Sequence, residues 1–580
     1  MARQTYKSNK EIAGALNEIG FFLDMEGVDF KPKAYEKAAG VIADLGDEAA
    51  DIYSQGGLKA LENIPGVGVS IAEKIEELLK TGKIKYLEGL KKKRPVKVDE
   101  FMGIEGIGPK TVRHLYEKLK VKDLKGLEKV LAENKISGLE GFGEKSQEKI
   151  LKSLEFHKKS GGRAILGFIM PEIRVMEEKL KKIKGVERVD IAGSVARRKE
   201  TIGDLDFLLI SKNPKPIMDY FMNMPETAAT LSYGNTKTSV RLKNGLDADV
   251  RVIAPESYGA ALMYFIGSKE HNISLREIAI KKGWKLSEYG LFEGEKMIAG
   301  KTEEGIYEKL GLKYIEPEMR EMRGEIEASR NNKLPKLIGY KDLMGDLHTH
   351  SNWSDGASSI EEMARAAMER GLKYISIADH SKHLVVAHGL DEKRLKLEWK
   401  EIDAVNKKLE KEGADFKILK GTECDILKDG TMDFSDEILK QFDTVNASIH
   451  SSFNLSEEEQ TERIKKAMRN KNVDIISHPT GRILNEREGY KVNMDELIKA
   501  AKETGTILEI NSFPNRMDLK DENIKKCVAA GVKMSIDTDG HLFSHFDNLE
   551  YGIAQARRGW AEKKDIINAW PADKMLKMLK

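Results

Sequence analysis

In Gly203-Asp204-Leu205-Asp206-Phe207-Leu208-Leu209-Ile210, two carboxylates stand two residues apart at the head of an apolar run. On a strand they share one face. Side by side they repel unless a cation lies between them, and a divalent metal is the natural occupant. A third carboxylate belongs on a neighbouring strand, and Leu246-Asp-Ala-Asp-Val-Arg-Val252 offers Asp247 and Asp249. Asp249, nearer the apolar stretch, is the expected ligand. Three carboxylates can hold two Mg²⁺ (or Mn²⁺) roughly 3.5–4 Å apart and clamp both oxygens of an in-line phosphoryl displacement. Upstream, Gly193-Ser194 and Arg197 supply backbone, hydroxyl and guanidinium donors suited to a triphosphate.

A second constellation is marked by histidine. Nine of the twelve histidines fall between His348 and His545. Six short apolar runs in this part end in metal-ligating types: Gly345-Asp-Leu-His348-Thr-His350, Ile375-Ser-Ile-Ala-Asp-His380, Ile418-Leu-Lys-Gly-Thr-Glu423, Val445-Asn-Ala-Ser-Ile-His450, Val473-Asp-Ile-Ile-Ser-His478 and Met534-Ser-Ile-Asp-Thr-Asp539-Gly-His541. Asp355 follows the first of them. One histidine at a strand end is ordinarily a satisfied core residue, whereas six such strands ask for metal. Mixed imidazole and carboxylate ligation suits Mn²⁺, Zn²⁺ or Fe²⁺. Arg482, in His478-Pro-Thr-Gly-Arg, is placed to hold a phosphate oxygen. His383, His388 and His545 match no ligand position and read as surface or substrate-side residues.

These runs alternate with helical stretches such as 359–370, 397–411, 457–469 and 495–504. That alternation predicts a β/α barrel whose strand C-termini converge on one face. Before residue 157 the pattern is helical throughout. Three similar turns lie there, Ile64-Pro-Gly66-Val-Gly68, Ile104-Glu-Gly106-Ile-Gly108 and Leu139-Glu-Gly-Phe-Gly143, each followed by an amphipathic stretch that predicts a helix, such as 70–79 and 110–119. Paired glycines leave backbone N–H groups bare at a helix start, where a phosphate binds through aligned donors and the helix dipole. These turns resemble helix-hairpin-helix motifs, which grip DNA backbones without reading sequence. Lys74, one turn beyond the first hairpin and near Lys83 and Lys85, is an amine that could form a Schiff base with an abasic sugar if its neighbours depress its pKa.

The Gly-Ser…Gly-Asp-Leu-Asp run, Asp249-Val-Arg, and Tyr264-Phe-Ile-Gly-Ser268 followed by Asn272 and Arg276 resemble the nucleotidyltransferase signature of family X DNA polymerases, the DNA polymerase beta type. The resemblance runs from about Ala34 to Leu291. It implies Asp204, Asp206 and Asp249 as metal ligands, with Gly193, Ser194, Arg197, Gly203 and Gly267 around the nucleotide. Tyr264 and Phe265 would lie against the sugar, and Asn272 and Arg276 at the nascent pair and template. Gly66, Gly68, Gly106 and Gly108 would contact DNA. Lys74 matches the family's Schiff-base lysine, with Lys31 and Tyr35 near it. Ser70 stands where that pattern has a second lysine, which puts the lyase activity in question.

The histidine-rich part resembles the PHP (polymerase and histidinol phosphatase) domain, a distorted barrel with three metals. That resemblance implies nine ligands: His348, His350, Asp355, His380, Glu423, His450, His478, Asp539 and His541. Together the two parts resemble bacterial and archaeal family X polymerases with a C-terminal PHP domain. The implied function is short-gap filling in DNA repair, with 3′→5′ exonuclease, abasic-site endonuclease and 3′-phosphatase activity in the second centre. The alternative is a repair nuclease whose nucleotidyltransferase half mainly holds DNA.

The expected organisation is multidomain. Residues 1–90 form a helical lyase-like domain with a helix-hairpin-helix, and 91–157 a second helical DNA-binding domain. An α+β nucleotidyltransferase palm with a nascent-pair subdomain follows at 158–316, then a polar linker at 317–340. A distorted (β/α)7 PHP barrel occupies 341–580. With 580 residues, 40% apolar and 33% charged, the chain is too long for a single core and too apolar for disorder. Its net charge of +2, with 39 basic against 32 acidic residues in 1–200, neither requires nor excludes DNA. No apolar run is long enough to span a membrane, and MARQTYKSNKEIAG lacks a signal-peptide core. Two cysteines, Cys424 and Cys527, cannot form a disulfide framework, so a cytoplasmic location is expected. The expected partners are gapped or primed double-stranded DNA and dNTPs, without membrane, and the expected state is a monomer.

Overall fold

The computed structural model describes residues 9–28, 31–43, 48–64, 66–101, 107–139, 142–144, 146–148, 150–151, 154, 163–485 and 487–579. At the N-terminal end Ile12, Leu16, Ile19 and Phe22 recur at helical spacing and are buried, turning one face of the helix Asn9–Met25 into a core. Gly68 and Gly108, both extended, open the helices Val69–Thr81 and Pro109–Leu119. Gly66 has a φ of +84°, a backbone shape that glycine adopts without strain. Gly106 lies outside the described residues, as do Gly141 and residues 155–162.

From residue 163 the chain becomes mixed. β1 (Ala164–Ile165) pairs with β3 (Thr201–Ile202). A five-stranded sheet has the order β2 (Val186–Ile191), β4 (Asp204–Ser211), β7 (Asp247–Ile253), β6 (Lys237–Leu242) and β5 (Thr227–Tyr233). Leu205, Phe207 and Leu209 alternate along β4 into a core shared with the helices Leu166–Lys181 and Lys215–Met222. Leu208 faces the other side with Tyr258, Ala261 and Ile266 of the helix Tyr258–Ile266. A small antiparallel sheet of β8 (Trp284–Ser287), β9 (Gly290–Glu293) and β10 (Lys296–Ala299) and the helices Lys269–Lys281 and Glu303–Leu310 complete this half.

Residues 317–340, expected as a polar linker, are packed. Arg320 is fully buried and donates to Glu303 Oε1 (2.6 Å) and to the Ile315 carbonyl (2.9 Å). Buried Glu325 meets His271 Nδ1 at 2.8 Å, and Ile338 N donates to the Ala561 carbonyl at 3.0 Å. The charges that suggested solvent are neutralised in internal pairs, and the segment bridges the two halves.

Seven parallel strands in chain order, β11 (Gly345–Thr349), β12 (Tyr374–Ile377), β13 (Lys417–Asp425), β14 (Thr444–Ser448), β15 (Ile475–Ile476), β16 (Ile507–Asn511) and β17 (Met534–Asp537), make a nearly closed barrel. Apart from a Thr349–Gly540 bridge, buried carboxylates close the seam: Leu347 N donates to Asp537 Oδ1 (2.7 Å) and Thr538 Oγ1 to Asp346 Oδ2 (2.6 Å). Among the described residues no helix is long and apolar enough to cross a membrane.

Candidate active sites

Short parallel strands end together, so residues just past their C-termini meet. In the barrel they do so in three sets whose donor atoms lie within 4.8 Å of one another: His350, Asp355, His380 and His541; His348, His350, Glu423 and Asp539; and His380, Glu423 and His450. His478 joins the third, its Nε2 being 2.8 Å from Glu423 Oε1. All nine expected residues therefore converge, with Glu423 shared by the second and third sets and His350 and His380 joining the first to them. His380 Nδ1 is 2.9 Å and His348 Nε2 3.3 Å from Glu423 Oε2. His348, His350 and Glu423 form a buried floor, while Asp355 and His541 are about a third exposed and face the opening.

Burial opposes charge throughout this cluster, and the carboxylates overcome it unevenly. Burial lowers but Glu423 and Asp355 raise His380, to about 10; burial lowers but Glu423 and Asp425 raise His450, to about 9. Burial and the neighbouring His541 and His380 push His350 down to about 4. Glu423 stays well below the usual range despite burial, because His450, His380 and His348 surround it. His348 Nε2, both ring nitrogens of His350, His380 Nδ1 and Glu423 Oε2 are buried without a hydrogen bond. Orphaned donor atoms of this kind, aimed at one point, fit divalent cations.

Four supporting residues escaped the sequence reading. Glu509 on β16 accepts from His478 N (2.5 Å) and meets His348 Nδ1 at 2.6 Å. Asp425 meets His450 Nδ1 at 2.7 Å. Asp379 accepts from Ser351 N and from Ser354 Oγ beside His350. Arg516 Nε lies 3.1 Å from Asp539 Oδ2. The carboxylates behind His348 and His450 fix the ring and tautomer of each. The strand-end spacing could have exposed Glu509, which sits two residues before Asn511 on an otherwise apolar strand. Arg482 does not join this site. It points to the palm, pairing with Glu200 Oε2 at 2.8 Å and donating to the Met517 carbonyl. The arginine against the cluster is Arg516, at Asp539, whereas Arg482, Leu484 and Asn485 face the palm. His545 lies at the rim, its ring 5.2 Å from Phe513 and its Nδ1 accepting from His541 N.

In the palm, parallel pairing of β4 with β7 puts Asp204 opposite Asp247 and Asp206 opposite Asp249. Asp247 is spoken for by Arg241, which forks onto both carboxylate oxygens. Asp249 Oδ2 is 3.1 Å from Lys237 Nζ. Burial first, then Asp204 and Asp249, push Asp206 up to about 7, and burial and Asp249 raise Asp204. Like charges crowded this way accommodate a cation. Gly193 has φ +63°, and a Cβ there would stand 2.7 Å from Asp206 Oδ2, so only glycine lets the 193–197 turn approach the carboxylates. Ser194 Oγ and Asn272 Oδ1 are buried without a hydrogen bond. Gly203 borders Arg163, and a Cβ on Gly267 would stand 3.3 Å from an Arg197 guanidinium nitrogen. Tyr264 and Phe265 pack edge to face at 5.1 Å, Arg251 covers the Phe265 ring, and Asn272 Nδ2 donates to the Tyr264 carbonyl. Arg276 follows one turn after Asn272, half-buried.

A cleft of about 670 Å³ joins Asp204, Asp206 and Asp249 to Ile107, Gly108 and Pro109 of the second hairpin and to Asp24 and Glu36. A separate hollow of about 520 Å³ contains Gly66, Gly68, Lys31, Tyr35, Ser70 and Lys74. Lys74 Nζ donates to Ser70 Oγ at 3.0 Å, with the Tyr86 and Tyr35 rings 5.2 and 5.9 Å away.

A two-module helical N-terminus, a polymerase-type palm and a metal-suited barrel define a class of enzyme that works on nucleic-acid phosphate. The comparisons agree. The chain matches family models for a helix-hairpin-helix domain (7–84), a SAM-like helix-hairpin-helix tandem (98–155), the DNA polymerase beta thumb (261–321) and the PHP domain (346–513). It is 38% identical over 565 residues, 97% of each chain, to the DNA polymerase/3′-5′ exonuclease PolX of Bacillus subtilis. A probable phosphatase of Thermoanaerobacter pseudethanolicus is 35% identical over 238 residues, 39% of this chain and 90% of that one. A probable phosphatase of Acetivibrio thermocellus is 30% identical over 207 residues, 34% of this chain and 79% of that one. The chain belongs to the PolX family of PHP-containing family X DNA polymerases. The polymerase and PHP domains imply divalent metals, and the helix-hairpin-helix domains imply DNA binding.

Proposed function

We propose that this protein fills short gaps in DNA by two-metal nucleotidyl transfer and processes DNA ends with a 3′→5′ exonuclease in its barrel. The observation that carries the reading is one chain holding both the Asp206–Asp249 register beside the Gly193–Arg197 turn and the nine-residue cluster on the barrel mouth. In the palm, Asp204, Asp206 and Asp249 would hold Mg²⁺ or Mn²⁺, which would supply charge neutralisation, while the 3′-hydroxyl displaces pyrophosphate from the α-phosphorus. Ser194 Oγ and the Arg197 guanidinium bind the β,γ-phosphates of a dNTP, and Gly203 leaves room beside them. Tyr264 and Phe265 take the sugar, while Asn272 and Arg276 take the nascent pair. Gly66, Gly68, Gly106 and Gly108 hold the DNA backbone through N–H groups.

In the barrel the nine residues would hold three divalent cations, Mn²⁺, Zn²⁺ or Fe²⁺, which would supply an activated water and neutralise phosphate charge. Arg516 steadies Asp539 from behind, and the open Asp355–His541 side admits the scissile phosphate. Abasic-site cleavage and 3′-phosphate removal use the same opening. Lys74, ringed by Tyr35 and Tyr86, serves the lyase step. The domains follow the boundaries 1–90, 91–157, 158–316 and 341–580, with 317–340 as a packed bridge. The protein acts as a monomer, and buried, free Cys424 and Cys527 suit a reducing cytoplasm. Primer extension on gapped DNA by Asp204→Ala/Asp206→Ala tests the polymerase: loss of extension with exonuclease retained supports it. Undiminished extension would leave a nuclease whose palm only holds DNA.

A further inference from the structure

The palm turn that carries Arg197 is held from the barrel side. The helix Leu549–Arg558 presents Tyr551, Gln555 and Arg558 on one face, at i, i+4 and i+7. Tyr551 Oη donates to the Gly167 carbonyl (3.2 Å) and Gln555 Nε2 to Glu200 Oε2 (3.1 Å). Arg558, 4% exposed, donates to the main-chain carbonyl of Arg197 itself at 2.8 Å. The same guanidinium reaches Glu321 Oε1 (3.2 Å) and Asp521 Oδ2 (2.6 Å).

Glu321 is the hinge of the arrangement. Its Oε1 also accepts from Arg197 Nε at 3.0 Å, so one carboxylate oxygen is shared between the Arg197 of the palm and the Arg558 of the barrel. Arg197 further donates to the Ile266 carbonyl at the end of the helix Tyr258–Ile266. A guanidinium shared between a carboxylate and a triphosphate binds the triphosphate less well, since charge-assisted bonds compete for the same N–H groups. Arg558 draws part of the Glu321 charge away from Arg197.

We propose that Arg558 of the barrel and Glu321 of the bridge are positioning residues for the nucleotide site, setting how freely Arg197 meets the triphosphate. The polymerase centre is thus completed by the domain that carries the nuclease. This rests on the reading of Arg197 as a triphosphate ligand. Arg558→Met leaves Glu321 to Arg197 and to Lys199, whose Nζ lies 3.6 Å from its Oε2, and frees the 197 carbonyl, so dNTP binding weakens. Glu321→Gln keeps an acceptor but removes the charge, so dNTP binding strengthens. The two substitutions act in opposite directions on one parameter, which simple damage to the interface would not do.

The test is steady-state gap filling by the full-length protein on one-nucleotide-gapped DNA with varied dNTP, beside exonuclease assays on single-stranded DNA without dNTP. Arg558→Met is expected to raise the dNTP KM about tenfold with kcat changed less than about threefold. Glu321→Gln is expected to lower KM, and both variants should keep wild-type exonuclease rates. A wild-type KM in both variants, or a rise in both, overturns the proposal; Glu321→Gln decides it alone if Arg558→Met does not fold. Absence of extension by the wild-type protein would instead overturn the polymerase reading.

Discussion

The two centres meet the same electrostatic difficulty, crowded carboxylates and imidazoles, in opposite ways. In the barrel, His348, His350 and Glu423 are fully buried, and each imidazole that leans on a carboxylate has its ring fixed before any cation arrives. In the palm, Asp206 and Asp249 sit at the edge of an open cleft, with Lys237 against Asp249 and no carboxylate frame behind them. An enclosed site suits one strand end threaded to a fixed point, and an open one suits a duplex that must enter and leave. The difference places rigidity where hydrolysis needs a held phosphate, and access where a template must lie.

The largest effects should come from removing ligands. His348→Ala/His350→Ala is expected to cut exonuclease roughly a thousandfold or more and to lower bound metal by elemental analysis, with gap filling kept. Asp204→Ala/Asp206→Ala should do the reverse. Loss of both activities in either variant would mean that the centres are not separable.

Next is the frame. Glu509→Gln should cost the exonuclease roughly 10–100-fold, visible as a higher metal requirement, and leave extension unchanged. An unaffected metal requirement would mean that Glu509 does not orient His348.

The palm should respond to pH through Asp206. Asp206, raised to about 7 chiefly by burial and then by Asp204 and Asp249, carries a proton below that pH in the absence of metal. A cation must displace this proton, so the Mg²⁺ concentration for half-maximal extension should rise about tenfold per pH unit below 7 and level off above it. A flat Mg²⁺ requirement from pH 6 to 8 would contradict this.

The smallest effect on synthesis is expected from Lys74→Ala. It should leave gap filling within about twofold while abolishing borohydride trapping on an abasic site. Trapping that survives would assign the amine elsewhere.

How much of this was visible in sequence depended on whether a residue's partners are local. Period-2 spacing put Asp204 and Asp206 on one face, and the apolar run after them predicted the core strand that Leu205, Phe207 and Leu209 form. The barrel cluster was visible because its members, Asp355 aside, lie at the ends of six short strands. Glu509 was not, since its role depends on His348 and His478, 161 and 31 residues away. Arg482 was assigned to the nearest phosphate site in sequence, but its carboxylate is Glu200, 282 residues distant. The same limit explains residues 317–340: Arg320, Glu325 and Glu321 look like solvated charges until Glu303, His271 and Arg558 are placed against them.

The most direct test of two separable centres on one chain uses a one-nucleotide-gapped DNA with a 5′-labelled primer and Mn²⁺. Wild type and His348→Ala/His350→Ala are compared with and without dNTPs. Wild type should lengthen the primer with dNTPs and shorten it without them, and the variant should only lengthen it. Shortening by the variant at the wild-type rate would contradict the account, because the nuclease would then lie outside the barrel.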